Sequence, residues 1–285
     1  LDRLTSAQAT GGSLGLHGVY NLETYAYDSL GRLTGLPSLG TYSYNPSVSC
    51  TAGNRTLPHA VAAAGNNSYA YDCNGNMATR TLGGNNTFTY DSENRLSGVS
   101  GAATNSYTYD GDSQRVKEVS YENLASGTPL TSGATLYFAE SGTDGDTYPN
   151  SGVGSSGEFA YTAVGGSQYV QLDLGATYSV DKIKVWHYFV DGRTYHGVKL
   201  QVSANGSTWT TIYDSAVQGE YVETSAGKTH TFSAQNVRYV REYLNGSTIN
   251  GGNHWVEMEV FGSRTNVMIG DYFEWNENSG TMVKY

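Results

Sequence analysis

Aromatic and small or polar residues alternate in short bursts along the first 120 residues: Tyr25-Ala26-Tyr27, Tyr42-Ser43-Tyr44, Tyr69-Ala70-Tyr71, Phe88-Thr89-Tyr90 and Tyr107-Thr108-Tyr109. A period of two predicts β-strands that carry both rings of a burst on one face. In four copies the second Tyr is followed by Asp, a short polar turn and an aliphatic residue: Asp28 to Leu33, Asp72 to Met77, Asp91 to Leu96 and Asp110 to Val116. A fifth copy, Tyr42 to Asn45, lacks a clean second half. The Asp carboxylate is suited to accept bonds from amides as the chain turns, and Gly or Asn supplies the left-handed backbone there. Each unit therefore reads as a β-hairpin. The last three clear copies start at residues 69, 88 and 107, a constant spacing of 19. Hairpins this small are marginal alone, so neighbours must pair edge to edge to cover the aromatic face.

From about residue 133 the pattern changes. Tyr169–Leu174 and Val198–Val202 alternate apolar and polar residues, and the second runs into the hairpin signal Asn205-Gly206. Further strands are expected at Ile183–Trp186, Val237–Arg241 and Trp255–Phe261. Strands at this density, without helical periodicity, predict two antiparallel sheets packed as a β-sandwich, with Trp186 and Trp209 filling its core. The chain is expected to be all-β, divided into a hairpin region at 1–132, a sandwich at 133–262 and a return to repeat-like strand at 263–285.

Composition supports the strands. The chain holds 24 Tyr and 36 Gly against 5 Pro, with 15% charged residues, which suits pleated surfaces joined by tight turns. Its net charge of −10 combines 7 Lys/Arg against 10 Asp/Glu in residues 1–132 with 7 against 13 in residues 133–262. No basic stripe is present to neutralise phosphates, which argues against nucleic acid and anionic membranes as partners. No apolar run is long enough to span a bilayer, so membrane insertion is not expected. The opening Leu1-Asp2-Arg3-Leu4 reads as the second half of a repeat and the end as part of a strand, so both look like cuts through a longer polypeptide.

Cys50 and Cys73 stand outside any metal-binding spacing, and a disulfide or two free buried thiols both fit. Five N-x-S/T triplets begin at Asn54, Asn66, Asn85, Asn205 and Asn245, candidate glycosylation sites in a secreted protein. Catalytic signatures fall short. Gly152–Gly157 matches G-x-G-x-x-G without a βαβ context, and Gly11–Gly15 matches G-x-S-x-G without a strand–turn–helix context. Carboxylate pairs such as Asp144/Asp146 and Glu257/Glu259 have no strand pattern that sets one pair across a substrate cleft. The chain reads as non-enzymatic.

The Tyr-Asp units resemble the RHS/YD-repeat family over about residues 1–120, and again in the tail at Ile269-Gly270-Asp271-Tyr272-Phe273-Glu274-Trp275. That resemblance implies a β-hairpin spiral sheet in an extracellular or cell-surface protein, serving as a scaffold or as part of a toxin-enclosing shell. About five units are too few to close a shell, and the D-P-x-G autocleavage motif of such shells is absent. Open strand edges would then be completed by a longer chain or by other copies of the protein, giving a homo-oligomer.

The later strands resemble the discoidin, or F5/8 type C, family over about residues 135–262. The resemblance lies in the order of Gln171-Leu172-Asp173-Leu174-Gly175, Ile183-Lys184-Val185, Val202–Trp209, Val237-Arg238-Tyr239-Val240-Arg241 and Glu257–Gly262. It implies a jelly-roll sandwich that binds glycans, lipids or proteins through loops at one end and often holds a structural calcium. Asp144, Asp146 and Thr147 resemble the calcium loop, with Glu257 completing the shell from the last strand, although an ordinary Asp-Gly turn is the other reading. A glycan face would be built by His187, Tyr188, Arg193, Tyr195 and His196 with Asn253 and His254. Rings stack on sugars, while Arg, His and Asn bond hydroxyls. The same polar set could equally bond internally. Three functions follow: a carbohydrate-binding module on a repeat scaffold, a glycosylated building block of a self-assembling extracellular fibre or coat, and a fragment of a toxin-enclosing shell.

Overall fold

The computed structural model describes residues 3–9, 20–36, 38–149, 158–269 and 273–284; the Gly11–Gly15 and Gly152–Gly157 matches and residues 270–272 of the tail motif lie outside them. The described chain is almost entirely antiparallel strand, in two compact units, Leu1–Tyr107 and Thr108–Tyr285. The second unit thus begins earlier than the change of texture at residue 133.

In the first unit an antiparallel meander runs from Ala26–Tyr27 through Leu33–Leu36, Gly40–Tyr44, Val61–Ala64, Asn67–Tyr71, Met77–Arg80 and Asn86–Tyr90 to Leu96–Gly101 and the strand that begins at Thr104. The expected alternation holds: the rings of Tyr42, Tyr44, Tyr69, Tyr71, Phe88 and Tyr90 are half-buried, while Ser43, Ala70 and Thr89 between them are exposed.

The turns repeat one hydrogen-bond pattern. One carboxylate oxygen accepts the amides two and four residues on: Leu30 and Arg32 for Asp28, Asn74 and Asn76 for Asp72, Glu93 and Arg95 for Asp91, Asp112 and Gln114 for Asp110. The other oxygen of the first three accepts from the side chain four residues on, at 2.6 Å from Arg32 Nε, 2.9 Å from Asn76 Nδ2 and 2.8 Å from Arg95 Nε. The left-handed position of each turn falls on Gly31, Gly75, Asn94 and, in the fourth copy, Ser113 rather than the neighbouring Gly111.

Tyrosine hydroxyls then tie one unit to the one before it. Tyr27 donates to the Leu4 carbonyl, Tyr44 to Leu33, Tyr71 to Val61 and Tyr90 to Met77, at 2.6–3.0 Å. This register explains the irregular fifth copy. Val61 takes the aliphatic return position, and the missing second half is a turn expanded by the hairpin Ser47–Cys50/Gly53–Thr56. A disulfide from Cys50 to Cys73 fastens that hairpin to the next Asp72 turn, with Cα atoms 5.7 Å apart.

The second unit is a sandwich. One sheet orders Thr131–Ser132, the first half of the long strand Ser167–His187, the second half of Lys228–Asn245, Lys199–Ser203 and Thr210–Asp214. The other sheet joins the remaining halves of the two long strands to His254–Ile269, which also pairs with Arg115–Asn123, Ala160–Thr162 and Phe273–Asn276. The first long strand crosses from sheet to sheet at Gly175, whose φ of +76° breaks the ladder between Asp173 and Tyr178. Val170, Leu172, Ile183, Val185, Leu200, Val240, Leu244, Met258 and Val260 point inward and form the core. Trp186 is buried, but in a separate small cluster with Phe159 and Val256 rather than in the core between the sheets, and Trp209 is not buried. It lies half-exposed on the outside of the first sheet, its ring 4.1 Å from the Arg241 guanidinium carbon, because an aromatic side chain here shields a cation instead of filling the core.

Candidate functional site

Three loops meet at one end of the sandwich. The loop after His187 is bridged to the 246–253 loop by Tyr195 pairing with Ser247 and by the Thr248 amide donating to the Thr194 carbonyl at 2.9 Å. The 144–148 loop reaches the first of these through Tyr148, whose ring meets Phe189 edge-on at 5.5 Å.

Of the residues expected to face a glycan, three are fully buried and serve the fold. His187 lies between Glu223 Oε1 at 2.9 Å and Glu242 Oε2 at 3.1 Å. Burial works against its charge, but the two carboxylates outweigh that and raise its pKa to about 10, so it is an imidazolium with both ring nitrogens donating. Asn253 is a brace: its Oδ1 accepts from the Gly246 amide at 2.7 Å and its Nδ2 donates to the Gly166 carbonyl at 2.9 Å. Tyr195 donates to His254 Nδ1 at 2.8 Å from beneath, with burial holding its phenol above the ordinary range. Ligand contact by these three is therefore corrected to support of the loops, because closing the loop end left their polar groups needing internal partners.

The other four are nearer the surface. Arg193 is 5% exposed and pairs with Asp191 at 2.6 Å, while its Nη1 donates to His254 Nδ1 at 3.2 Å. Its guanidinium carbon also sits 4.6 Å from the half-exposed ring of Tyr188. His254 is held neutral: burial first, then the Arg193 charge, lowers its pKa to about 4. Because Arg193 can only donate, His254 Nδ1 must accept, so its proton sits on Nε2. Among the described residues that Nε2 has no hydrogen-bond partner. His196 stands apart, partly exposed and paired through Nδ1 with Glu220 at 3.0 Å.

The rings around this centre were not expected. Phe159 packs edge-on against His254 at 5.2 Å and Tyr188 at 5.6 Å, and Tyr161 stacks on Tyr137 at 5.0 Å. The alternation Phe159-Ala160-Tyr161 was the available signal, identical in form to the bursts of the first unit.

At the proposed calcium loop, Glu257 is buried beneath the exposed Asp144 and Asp146. Its Oε2 accepts the Gly145 amide at 3.1 Å, and its Oε1 has no partner. Burial first, then the nearby Asp144 and Glu259 charges, pushes its pKa up to about 8. A buried carboxylate with an orphaned oxygen under a second acid fits a hard cation. Asp146 instead accepts the Tyr148 amide at 2.9 Å, and Thr147 is half-buried. No three His, Cys, Asp or Glu side chains converge as metal ligands among the described residues, so backbone and hydroxyl oxygens would have to complete such a shell.

Residues 141–241 match the family model of the NedA-like, galactose-binding domain of F5/8 type C, and that stretch is a discoidin-like domain. Similar solved structures include truncated AlyQ with CBM32 and alginate lyase domains, at 24% identity over 51% of this chain and 34% of that one, TM-score 0.40. The CBM32 of AlyQ in complex with 4,5-unsaturated mannuronic acid is 26% identical over 46% of this chain and 92% of that one, TM-score 0.34. CpGH89CBM32-6 from Clostridium perfringens is 19% identical over 50% of this chain and 99% of that one, TM-score 0.38. A search of curated proteins found no match.

Proposed function

We propose that the sandwich is a non-catalytic carbohydrate-binding module that takes galactose-type sugars at its loop end. The observation that carries this reading is the half-exposed Tyr188 ring beside His254, whose Nε2–H is an unspent donor fixed in direction by Arg193 and Tyr195. A sugar ring stacked on Tyr188 would place a hydroxyl against that donor. The family match at residues 141–241 supports the sugar class. The buried Glu223 and Glu242 are both committed to His187, which favours binding over glycoside hydrolysis. Calcium at Glu257 and Asp144 would steady the neighbouring loop.

In the same reading the Asp-turn hairpins are YD repeats of RHS type, a scaffold that displays the module outside the cell. Calorimetric titration with galactose in calcium buffer tests the site. Wild type should bind, and Tyr188→Ala and His254→Ala should each weaken binding at least about tenfold, roughly 1.4 kcal/mol. Unchanged affinity in both variants would overturn it.

A second reading, assembly into a fibre or coat, draws on the tail hairpin. Its outer strand Thr281–Lys284 is exposed, with Met282 at 58%, and all five triplet asparagines, Asn54, Asn66, Asn85, Asn205 and Asn245, are exposed too. Light scattering over a concentration series tests it, and a monomer throughout would remove it.

A further inference from the structure

The outer surface of the sheet that carries Trp209 holds a second concentration of ligand chemistry. Of the five arginines in this unit, Arg115, Arg193, Arg238 and Arg264 each pair with a carboxylate. Arg241 makes no ion pair among the described residues, although residues 133–262 carry 13 Asp/Glu. Its position is nevertheless fixed. The guanidinium carbon lies 4.1 Å from the Trp209 ring and 4.5 Å from the Tyr169 ring. Nε and Nη2 both donate to Gln171 Oε1, at 3.1 and 2.6 Å, and Nη1 donates weakly to the Tyr243 hydroxyl at 3.4 Å.

These bonds use three of the five guanidinium N–H donors and leave one on Nη1 and one on Nη2 without a protein acceptor, two donors that a carboxylate can take. A shallow groove runs along the same face, lined by Ser167, Gly197, Lys199, Gln201 and Tyr243. The strand register places Lys199 and Tyr169 on either side of Tyr243, and Gln201 beside Arg241. Lys199 in the groove is already neutralised by Asp214 at 2.8 Å, so the unmatched positive charge of this face is Arg241, next to the lining residue Gln201 across the strand pair.

A held, uncompensated guanidinium next to a tyrosine wall and amide side chains matches a sugar that carries a carboxylate. We propose that this sheet face is a second carbohydrate site, selective for uronic acid residues, with Arg241 taking the carboxylate and Tyr243 the ring. It shares no residue with the loop-end site and does not depend on the reading given to that site.

The test titrates a short galacturonate oligosaccharide and galactose into the intact chain, with amide NMR shifts recorded for wild type, Arg241→Gln, Lys199→Gln and Arg193→Ala. The uronate should shift residues around Gln201 and Tyr243, weaken with added salt, and bind at least about tenfold less tightly to Arg241→Gln. Arg193→Ala should leave that binding unchanged. Uronate binding that survives Arg241→Gln, shifts confined to the Tyr188 loop, or no uronate binding would each overturn the proposal. If Arg241→Gln fails to fold, the wild-type shift map and its salt dependence decide. Loss of galactose binding alone counts against the loop-end site and not against this one.

Discussion

The two units solve the same problem, covering strands, by different physics. In the first unit Val48, Leu57 and Ala64 are the only buried apolar residues among those described, and order comes from local polar turns, tyrosine hydroxyls on neighbouring carbonyls and one disulfide. The sandwich instead buries a continuous apolar core, with a charged His187 enclosed by two glutamates at its edge. Local polar turns can be repeated along a chain, whereas a shared core must be completed all at once. Loss of one turn should therefore be tolerated where loss of one core partner is not.

The largest expected effect is that of Glu242→Gln, which leaves His187 with one carboxylate in a fully buried site. Removing one partner of a buried pair costs about 3–5 kcal/mol, and denaturant unfolding should show the sandwich transition falling by that amount. pH sharpens the contrast further. The folded pKa of His187, about 10, lies above its ordinary 6.5. Its stabilising contribution is complete below about pH 6.5 and is lost as pH rises through about 10. The Asp72 carboxylate behaves in the opposite way: burial opposes the charge, but bonds from Asn76, Asn74 and Gly75 prevail and hold its pKa low. Its contribution is present above the ordinary carboxylate range and lost as pH falls through the folded value. Near-UV circular dichroism should show the sandwich melting first in alkali and the repeat unit first in acid.

Reducing Cys50–Cys73 should cost the first unit about 3 kcal/mol and leave the sandwich transition in place. Smallest of all, Asp72→Ala should remove about 1 kcal/mol, read as faster amide exchange confined to the hairpin around residues 71–77. A loss that spreads to the sandwich would contradict the separation of the two units.

Much of the fold was legible because both periods were written in side chains. Tyr69, Tyr71, Phe88 and Tyr90 marked one strand face, and Val170, Leu172 and Leu174 marked the core face of the long strand. The disposition of polar groups at the loop end was not legible. His187, Tyr195 and Asn253 carry sugar-binding chemistry in a sequence, but whether they point outward depends on how three separated loops close over Glu223, Glu242 and Gly246. Trp209 was misplaced for a related reason: only the cross-strand register puts it against Arg241 on the outer face. Phe159 and Tyr161 were readable as strand, yet nothing local linked them to His254, nearly 100 residues away in the chain.

Galactose binding is proposed for the loop end of the sandwich, apart from the uronate site on the sheet face. It is tested most directly by mapping galactose-induced amide and aromatic NMR shifts on the intact chain. Shifts should centre on Tyr188, Arg193 and His254, with the first unit silent. Shifts centred on the tyrosines of the first unit, or none at all at saturating sugar, would contradict it.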